Sequence, residues 1–112
     1  MKIIELVDRI KKGETTARAQ VERSLAKAQE TEEYHALLSL TAERALQRAD
    51  EIDERIKKGE NPGVLAGVPF VVKDNYLAFG APTTAAAKML ENFEAPVQAT
   101  VVEKLEAAGA IC

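Results

Sequence analysis

The first 60 residues place hydrophobic side chains at the three- and four-residue spacing of amphipathic α-helices. Three stripes are present: Ile3, Leu6, Val7 and Ile10; Ala17, Val21, Leu25 and Ala28; and Ala45, Ala49, Ile52 and Ile56. They predict one helix over residues 2–12, a second through residues 17–28 and a third over about 42–58. Because half of the second stripe is alanine, we expect that helix to depend on packing for its stability.

The residues that flank these stripes suit helix ends. Gly13 and Gly59 follow the first and third stripes, and glycine is common just past the end of a helix. Thr15 or Thr16 is placed to cap the second helix, and Thr41 to cap the third, by accepting hydrogen bonds from free backbone amides. The pattern therefore predicts a layer of capped helices.

Three hydrophobic runs without helical spacing predict strands. Residues 35–40 form a short run that periodicity alone fits equally well to the first turns of a helix; we favour a strand. Residues 68–74 are apolar on both strand faces up to Lys73, as in a strand buried in a parallel sheet, and Pro69 suits its start. Residues 110–112 predict the beginning of another strand.

Two further helices are predicted in the second half of the chain. Thr83 and Thr84 are placed to open one over residues 83–90, and Thr100 stands at the start of another that ends at Gly109. Helices thus alternate with strands, an order that indicates an α/β fold.

Charge and proline divide the chain near residue 60. Residues 1–60 hold 12 basic and 13 acidic residues, whereas residues 61–112 hold three and five and contain all four prolines. We therefore predict one incomplete domain in two parts. Residues 1–60 form an N-terminal helical layer with one short strand, and residues 61–112 form the start of an α/β core.

The composition excludes several classes of protein. A formal net charge of −3 lacks the basic excess typical of nucleic-acid-binding proteins. No apolar run approaches the roughly 20 residues needed to cross a bilayer, and early acidic residues exclude a secretory signal. With one cysteine and one histidine, a metal site would have to be built from carboxylates. We expect a cytoplasmic protein with no cofactor or metal in this chain and no membrane partner.

Lys73 is the residue best suited to chemistry. It is the only charge between Glu60 and Asp74, and it follows five nonpolar residues on the predicted strand. A lysine kept from water loses its proton more readily, and a neutral amine can act as a base toward a hydroxyl. The alternative is a strand end with a buried stem and a hydrated ammonium. Asp74 and Asn75 either form a turn or fix Lys73 and a substrate.

The chain resembles amidase-signature enzymes in three successive segments. The first, which carries the catalytic lysine of those enzymes, is Leu65-Ala66-Gly67-Val68-Pro69-Phe70-Val71-Val72-Lys73-Asp74-Asn75. The second covers residues 83–93 and the third residues 99–110. The likeness is greatest to the branch of the family that serves glutamyl-tRNA(Gln)/aspartyl-tRNA(Asn) amidotransferases, and it extends over the N-terminal portion of such proteins.

The resemblance implies an α/β fold in which N-terminal helices pack on the first strands of a mixed amidase-signature sheet, here truncated. It also implies a Ser–cis-Ser–Lys mechanism with Lys73 as the catalytic base, acting through a bridging serine. Both serines lie downstream in the family, and the only serines here, Ser24 and Ser39, match no catalytic motif. We therefore expect this chain alone to be inactive.

For the complete protein, the resemblance implies hydrolysis of glutamine and use of the ammonia to amidate misacylated Glu-tRNA(Gln) or Asp-tRNA(Asn). Amidotransferase subunits B and C are the implied partners, tRNA binds through the complex, and ATP and Mg²⁺ serve the partner. Two alternatives stay open: another amidase-signature amide hydrolase, or a short non-catalytic helical binding module. The apolar final residues lead us to expect an N-terminal fragment that self-associates through an uncovered face.

Overall fold

Four α-helices and two 3₁₀ turns make up the regular structure of the chain, and a computed structural model describes all residues 1–112. The α-helices are α1 (Ile3–Lys11), α2 (Ala17–Glu30), α3 (Ala42–Lys57) and α4 (Thr100–Ala107); the 3₁₀ turns are Glu32–Tyr34 and Lys88–Leu90. The four helices confirm the predictions made from the first three stripes and from the segment after Thr100. None of them combines the length and apolar character that crossing a membrane requires.

The core lies where α2 packs on α3, and it draws residues from both sides of residue 60. Its eight buried members are Val7, Ala17, Val21, Ala45, Ala49, Ile52, Ala66 and Ile111. Because half of them are alanines, the larger side chains such as Ile52 and Ile111 supply much of the apolar area that leaves water. The stripe of α1 is only partly inward, since Val7 and Ile10 are buried but Ile3 is 56% exposed.

Two residues from different parts of the chain cap the N-terminus of α2. The Thr16 hydroxyl accepts a hydrogen bond from the Ala19 amide at 3.0 Å, which confirms that a threonine caps this helix. Asp53 of α3 accepts hydrogen bonds from the amides of Ala17 at 2.8 Å and Arg18 at 3.1 Å. A carboxylate at this end of a helix also interacts favourably with the helix dipole. The cap therefore fixes α2 to α3.

The predicted strand over residues 35–40 and the predicted Thr41 side-chain cap of α3 are both absent, so both predictions are wrong. Residues 35–40 form neither strand nor helix, every one of them is exposed, and Leu38 is 76% exposed. No neighbouring strand edge supplies hydrogen-bond partners for this run, so its apolar composition cannot be buried in a sheet. The Thr41 hydroxyl donates to the Cys112 carbonyl at 2.8 Å, and its side chain makes no cap for α3.

The predicted sheet is reduced to one parallel bridge between Pro69 and Ile111. The Phe70 amide donates to the Ile111 carbonyl at 2.8 Å, and the Ile111 amide donates to the Val68 carbonyl at 2.9 Å. Residues 71–73, directly after the bridge, pair with no other segment, and Val71 is 75% exposed. The strands over residues 68–74 and 110–112, and the mixed sheet, are thus not formed in this chain, because a strand persists only where adjacent backbone pairs with it.

The prediction of a helix over residues 83–90 is also wrong. Only Lys88–Leu90 form a single 3₁₀ turn, while Ala85 and Ala86 have φ angles of 48° and 58°. This left-handed conformation interrupts a right-handed helix and is unfavourable for alanine. Alanine has the highest intrinsic helix propensity, so contacts from elsewhere in the chain override it here.

The loop before the bridge lies directly against the end of α4. The Leu65 amide donates to the Ala108 carbonyl at 2.8 Å, and the Gly67 amide donates to the Gly109 carbonyl at 3.0 Å. A Cβ on Gly63 would lie 2.2 Å from the Ala108 carbonyl oxygen, and one on Gly109 would lie 2.5 Å from a backbone oxygen of the loop. Both glycines also have positive φ angles, so only glycine permits this approach.

A buried carboxylate joins α4 to α3. Glu106 is 8% exposed, and its carboxylate accepts two hydrogen bonds from the Arg44 guanidinium and one from Gln98 at 2.7 Å. Arg48 donates to the Glu106 backbone carbonyl at 3.0 Å. Burial would raise the pKa of Glu106, but the hydrogen bonds from Arg44 and Gln98 and the charge of Arg48 together hold that pKa below its usual range.

Replacement of Glu106 by alanine should destabilise the chain by about 2–3 kcal/mol, because it leaves the half-buried Arg44 without its partner. Urea unfolding followed by circular dichroism at pH 7 measures this change. Since the folded-state pKa of Glu106 is lowered, the stabilisation is present at neutral pH. The stabilisation begins to fall below about pH 4.3, the pKa of an unperturbed glutamate in the unfolded chain. It is lost as pH falls further, through the lowered pKa of the folded chain.

The matched control is Glu103→Ala, an exposed glutamate on the same helix, which should change stability by less than about 1 kcal/mol. Equal losses for the two variants at pH 7, or a Glu106→Ala loss that persists unchanged in acid, would contradict the role given to the pair.

Candidate functional site

An open cleft of about 990 Å³ lies between α2, the 35–41 loop and the segment after the parallel bridge. This volume is at the upper end of the roughly 300–1,000 Å³ typical of small-molecule sites, and most lining residues are hydrophobic. The polar lining residues are Ser24, Ser39, Thr41, Lys73, Asp74, Asn75, Tyr76, Thr83 and Cys112. The cleft therefore contains the Lys73 segment that the sequence singles out, together with both serines of the chain.

Lys73 lines the cleft but is exposed to water. The prediction that it is buried on an interior strand is wrong for this chain, because the segment passes beyond the bridge with nothing packed over it. Its ammonium has no ion-pair partner. Ser24 and Ser39 also line the cleft, and neither forms a hydrogen bond with Lys73. The role of Lys73 as a base stays a prediction.

Asp74 connects the Lys73 segment to a second loop. One carboxylate oxygen, Oδ1, accepts a hydrogen bond from the Thr84 amide at 2.8 Å, and the other accepts one from the Thr84 hydroxyl. These hydrogen bonds lower the pKa of Asp74 below its usual range, and the Thr84 hydroxyl contributes more than the Thr84 amide. The turn predicted at Asp74 and Asn75 is formed, since the Tyr76 amide donates to the Lys73 carbonyl at 3.0 Å. The side-chain partner of Asp74 lies ten residues away, so this side chain also joins two loops. Asn75 is exposed beside it.

His35 and Cys112 take no part in a polar cluster at the cleft. His35 is exposed, and its own backbone is left-handed, with a φ angle of 49°. Cys112 is a half-buried free thiol. Its pKa is raised mainly by burial and to a smaller extent by the negative charge of Glu106. No group of three or more His, Cys, Asp or Glu side chains is assembled anywhere in the chain in a way that suits a metal ion.

Two of the polar interactions that organise this region have no counterpart among the predictions from sequence. The local pattern marks Thr84 as a helix cap, and nothing in it pairs a threonine with an aspartate ten residues earlier. Glu106 offers a clearer signal, since it lies four residues after the buried Val102 and so falls on the inward face of α4. A charged residue on an inward helical face requires a buried partner, and Arg44 is that partner.

The family model described as Amidase matches residues 19–112, a range that includes most of α2, all of α3 and α4, and the Lys73 segment. The chain belongs to the amidase family. The resemblance to amidase-signature enzymes is thereby confirmed.

Several relatives in the amidase family are named as the A subunit of glutamyl-tRNA(Gln) amidotransferase. The one from Gloeobacter violaceus (strain ATCC 29082 / PCC 7421) is 53% identical over 79 residues, which is 70% of this chain and 16% of the relative. The one from Prochlorococcus marinus (strain MIT 9303) is 43% identical over 112 residues, which is 99% of this chain and 23% of the relative. The chain thus spans less than a quarter of the length of these relatives.

Several solved structures have the fold of this chain over nearly its whole length. A vestigial protein complex, described as revealing the evolutionary origins of an s-triazine catabolic enzyme, matches 99% of this chain and 25% of its own, with a TM-score of 0.92 and 37% identity. A bacterial aryl acylamidase of the amidase signature family, at 24% identity, shows the fold alone with a TM-score of 0.91 over 99% of this chain and 24% of its own. The peptide amidase of Stenotrophomonas maltophilia matches 99% of this chain and 23% of its own, with a TM-score of 0.79 and 26% identity.

The pKa of the Asp74 carboxyl should rise toward the ordinary aspartate value of about 3.9 when Thr84 is replaced by valine, because valine keeps the shape and loses the hydroxyl. Carbon-13 NMR titration of the carboxyl measures the midpoint in the 112-residue chain. Since the pKa is lowered in the folded chain, the hydrogen bonds are intact at neutral pH and are lost as pH falls through the lowered value.

Thr84→Ser keeps the hydroxyl and should keep the low midpoint, so it serves as the matched control. The same midpoint in the valine variant and the parent would show that the hydroxyl does not stabilise the carboxylate.

Proposed function

We propose that this chain is the N-terminal part of a glutamine amidase that releases ammonia for tRNA-dependent amidation. The observation that carries the proposal is the 41–43% identity to proteins named as the A subunit of glutamyl-tRNA(Gln) amidotransferase, which extends over 97–99% of the chain. The structure supports it through an apolar cleft in which Lys73 is the single ammonium among the lining residues.

In the proposed reaction Lys73 is the catalytic base. Its amine accepts, through a bridging serine, the proton of a nucleophilic serine that attacks the side-chain amide carbon of glutamine. The amine returns this proton by the same route to the leaving nitrogen, so that ammonia departs and the serine is acylated. Water then gives a proton to the same relay and attacks the acyl carbon, and that proton returns to the serine oxygen as glutamate leaves. Both serines belong to a part of the protein outside residues 1–112, so this chain alone has no turnover. That remaining part covers the cleft and removes water from Lys73, which favours the neutral amine.

The ammonia passes to a partner protein in the proposed complex. There it amidates an activated glutamyl or aspartyl group on misacylated tRNA, with ATP and Mg²⁺ bound by the partner and not by this chain. Amidotransferase subunits B and C are the proposed partners, and the cytoplasm is the proposed compartment. When the chain is isolated, its uncovered cleft favours self-association, since Leu38 and Val71 on its lining are 76% and 75% exposed.

A second candidate is an amidase that hydrolyses a different amide and needs no tRNA-linked partner. It is favoured by the 0.92 TM-score and 37% identity to the complex described in connection with an s-triazine catabolic enzyme. Copurification separates the two candidates: binding to amidotransferase subunits B and C supports the first, and amide hydrolysis by a solitary protein supports the second.

A chimera tests the function of Lys73. Residues 1–112 replace the aligned segment of the Prochlorococcus marinus relative, and the product is assayed for glutamine hydrolysis with its partner proteins. The chimera should be active. Lys73→Ala should lower kcat by about 10²- to 10⁴-fold, because the general base is lost. Lys73→Arg should lower it comparably, since a guanidinium keeps its proton and cannot act as a base.

Lys88→Ala is the matched control, because Lys88 is an exposed lysine outside the cleft and pairs only with Glu91. It should leave kcat within about threefold of the parent. An inactive chimera that is folded and bound to its partners, or a Lys73→Ala variant as active as the Lys88→Ala variant, would reject the proposed function.

A further inference from the structure

Three hydrogen bonds converge on the residue that follows Lys73. The Thr84 amide donates to Oδ1 of Asp74 at 2.8 Å, the Thr84 hydroxyl donates to Oδ2, and the Ala85 amide donates to the Asp74 backbone carbonyl at 2.8 Å. We refer to these three bonds as the Asp74–Thr84 clasp. They attach the chain at residue 74 to a loop that begins ten residues later, and so restrain the backbone from which the Lys73 side chain extends.

The second loop has an unfavourable backbone conformation directly after Thr84. Ala85 and Ala86 are both left-handed, with φ angles of 48° and 58°. The Ala86 amide donates to the Thr84 hydroxyl oxygen at 3.2 Å, so this one oxygen donates its hydrogen to Asp74 and accepts another from the loop. Left-handed alanines persist only where surrounding contacts determine them, and such strain clusters at functional sites.

The clasp also occupies the carboxylate nearest to Lys73 in the sequence. Both Asp74 oxygens bind Thr84, and Asp74 forms no ion pair with the Lys73 ammonium. Tyr76 and Cys112 are the other titratable side chains that line the cleft, so Asp74 provides the one side-chain carboxylate among the lining residues. If the clasp opened, the Asp74 carboxylate would become available to pair with Lys73, and an ion pair favours the protonated amine.

We propose that Asp74 and Thr84 are positioning residues for Lys73. The clasp fixes the backbone at residues 73–74 and keeps the neighbouring carboxylate away from the amine, so that Lys73 extends into the cleft free to accept a proton. This inference rests on the proposed role of Lys73 as a base, and it adds two residues that act on the reaction only through Lys73.

The chimera described above provides the kinetic test. Thr84→Val should lower kcat by about 10- to 100-fold with little change in KM, because a misplaced base affects the chemical step more than substrate binding. The acidic limb of its pH–rate profile should also move upward by about half a pH unit or more, since the released carboxylate favours protonated Lys73. A purely structural role for Thr84 would not move that limb.

Thr84→Ser is the conservative variant and should restore kcat to within about threefold of the parent. Asp74→Asn should lower kcat as Thr84→Val does. The double variant should lose no more than the worse single variant, because both substitutions break the same clasp. Equal kcat and an equal acidic limb for Thr84→Val and Thr84→Ser would overturn the proposal, as would fully additive losses.

The 112-residue chain provides a test that does not depend on activity. Exchange of the Ala85 amide hydrogen, measured by NMR, should be faster in Thr84→Val than in Thr84→Ser. Equal exchange rates would show that Thr84 does not hold the two loops together. An inactive parent chimera rejects the proposed function, whereas this exchange measurement bears on the clasp alone, so the two failures can be told apart.

Discussion

The parallel pairing of residues 68–70 with Ile111 places the Lys73 segment on the helical layer. Ile111 is 1% exposed and belongs to the core formed around α2 and α3. Two hydrogen bonds tie it to Val68 and Phe70, and two more in the preceding loop join that loop to the end of α4. Since Glu106 holds α4 to Arg44 of α3, the position of the backbone three residues before Lys73 follows from the packing of the helices.

Beyond that pairing, the site depends on hydrogen bonds between loops and not on a sheet. Residues 71–73 pair with no other segment, and Asp74 provides the next fixed point, because its carboxylate binds Thr84 and its backbone carbonyl accepts from the Ala85 amide. The result is an apolar cleft with an amine on its wall and a restrained backbone next to that amine. The proposed chemistry needs two serines and a cover for the cleft from the rest of the protein.

The elements that can be predicted from the sequence are those whose structure is decided within a few residues. The helices follow from stripes such as Ala45, Ala49 and Ile52, which specify one buried face whatever packs against it. Residues 35–40 and 68–74 have the composition of strands, but a strand depends on a neighbouring backbone that this chain does not supply. Residues 83–90 have strong helix propensity, and a tertiary contact with Asp74 overrides it.

The same distinction separates what is predictable about the site from what is not. Lys73 stands out because it is a lone charge at the end of an apolar run, and it lies on the wall of a cleft whose lining residues are mostly hydrophobic. Its exposure cannot be read from that run, because exposure depends on what covers the segment. The partnership of Asp74 with Thr84 is equally hidden, since it depends on the path of the chain between them.

Hydrogen exchange at the Phe70 and Ile111 amides tests whether the pairing of these segments holds the Lys73 segment on the helical layer. In the 112-residue chain at neutral pH, both amides should exchange as slowly as those of Ala49 and Ile52 in α3, which open only when the whole chain unfolds. Exchange at the rate of the exposed Leu38 amide would show that the two segments separate freely. Lys73 would then have no fixed position relative to the helices.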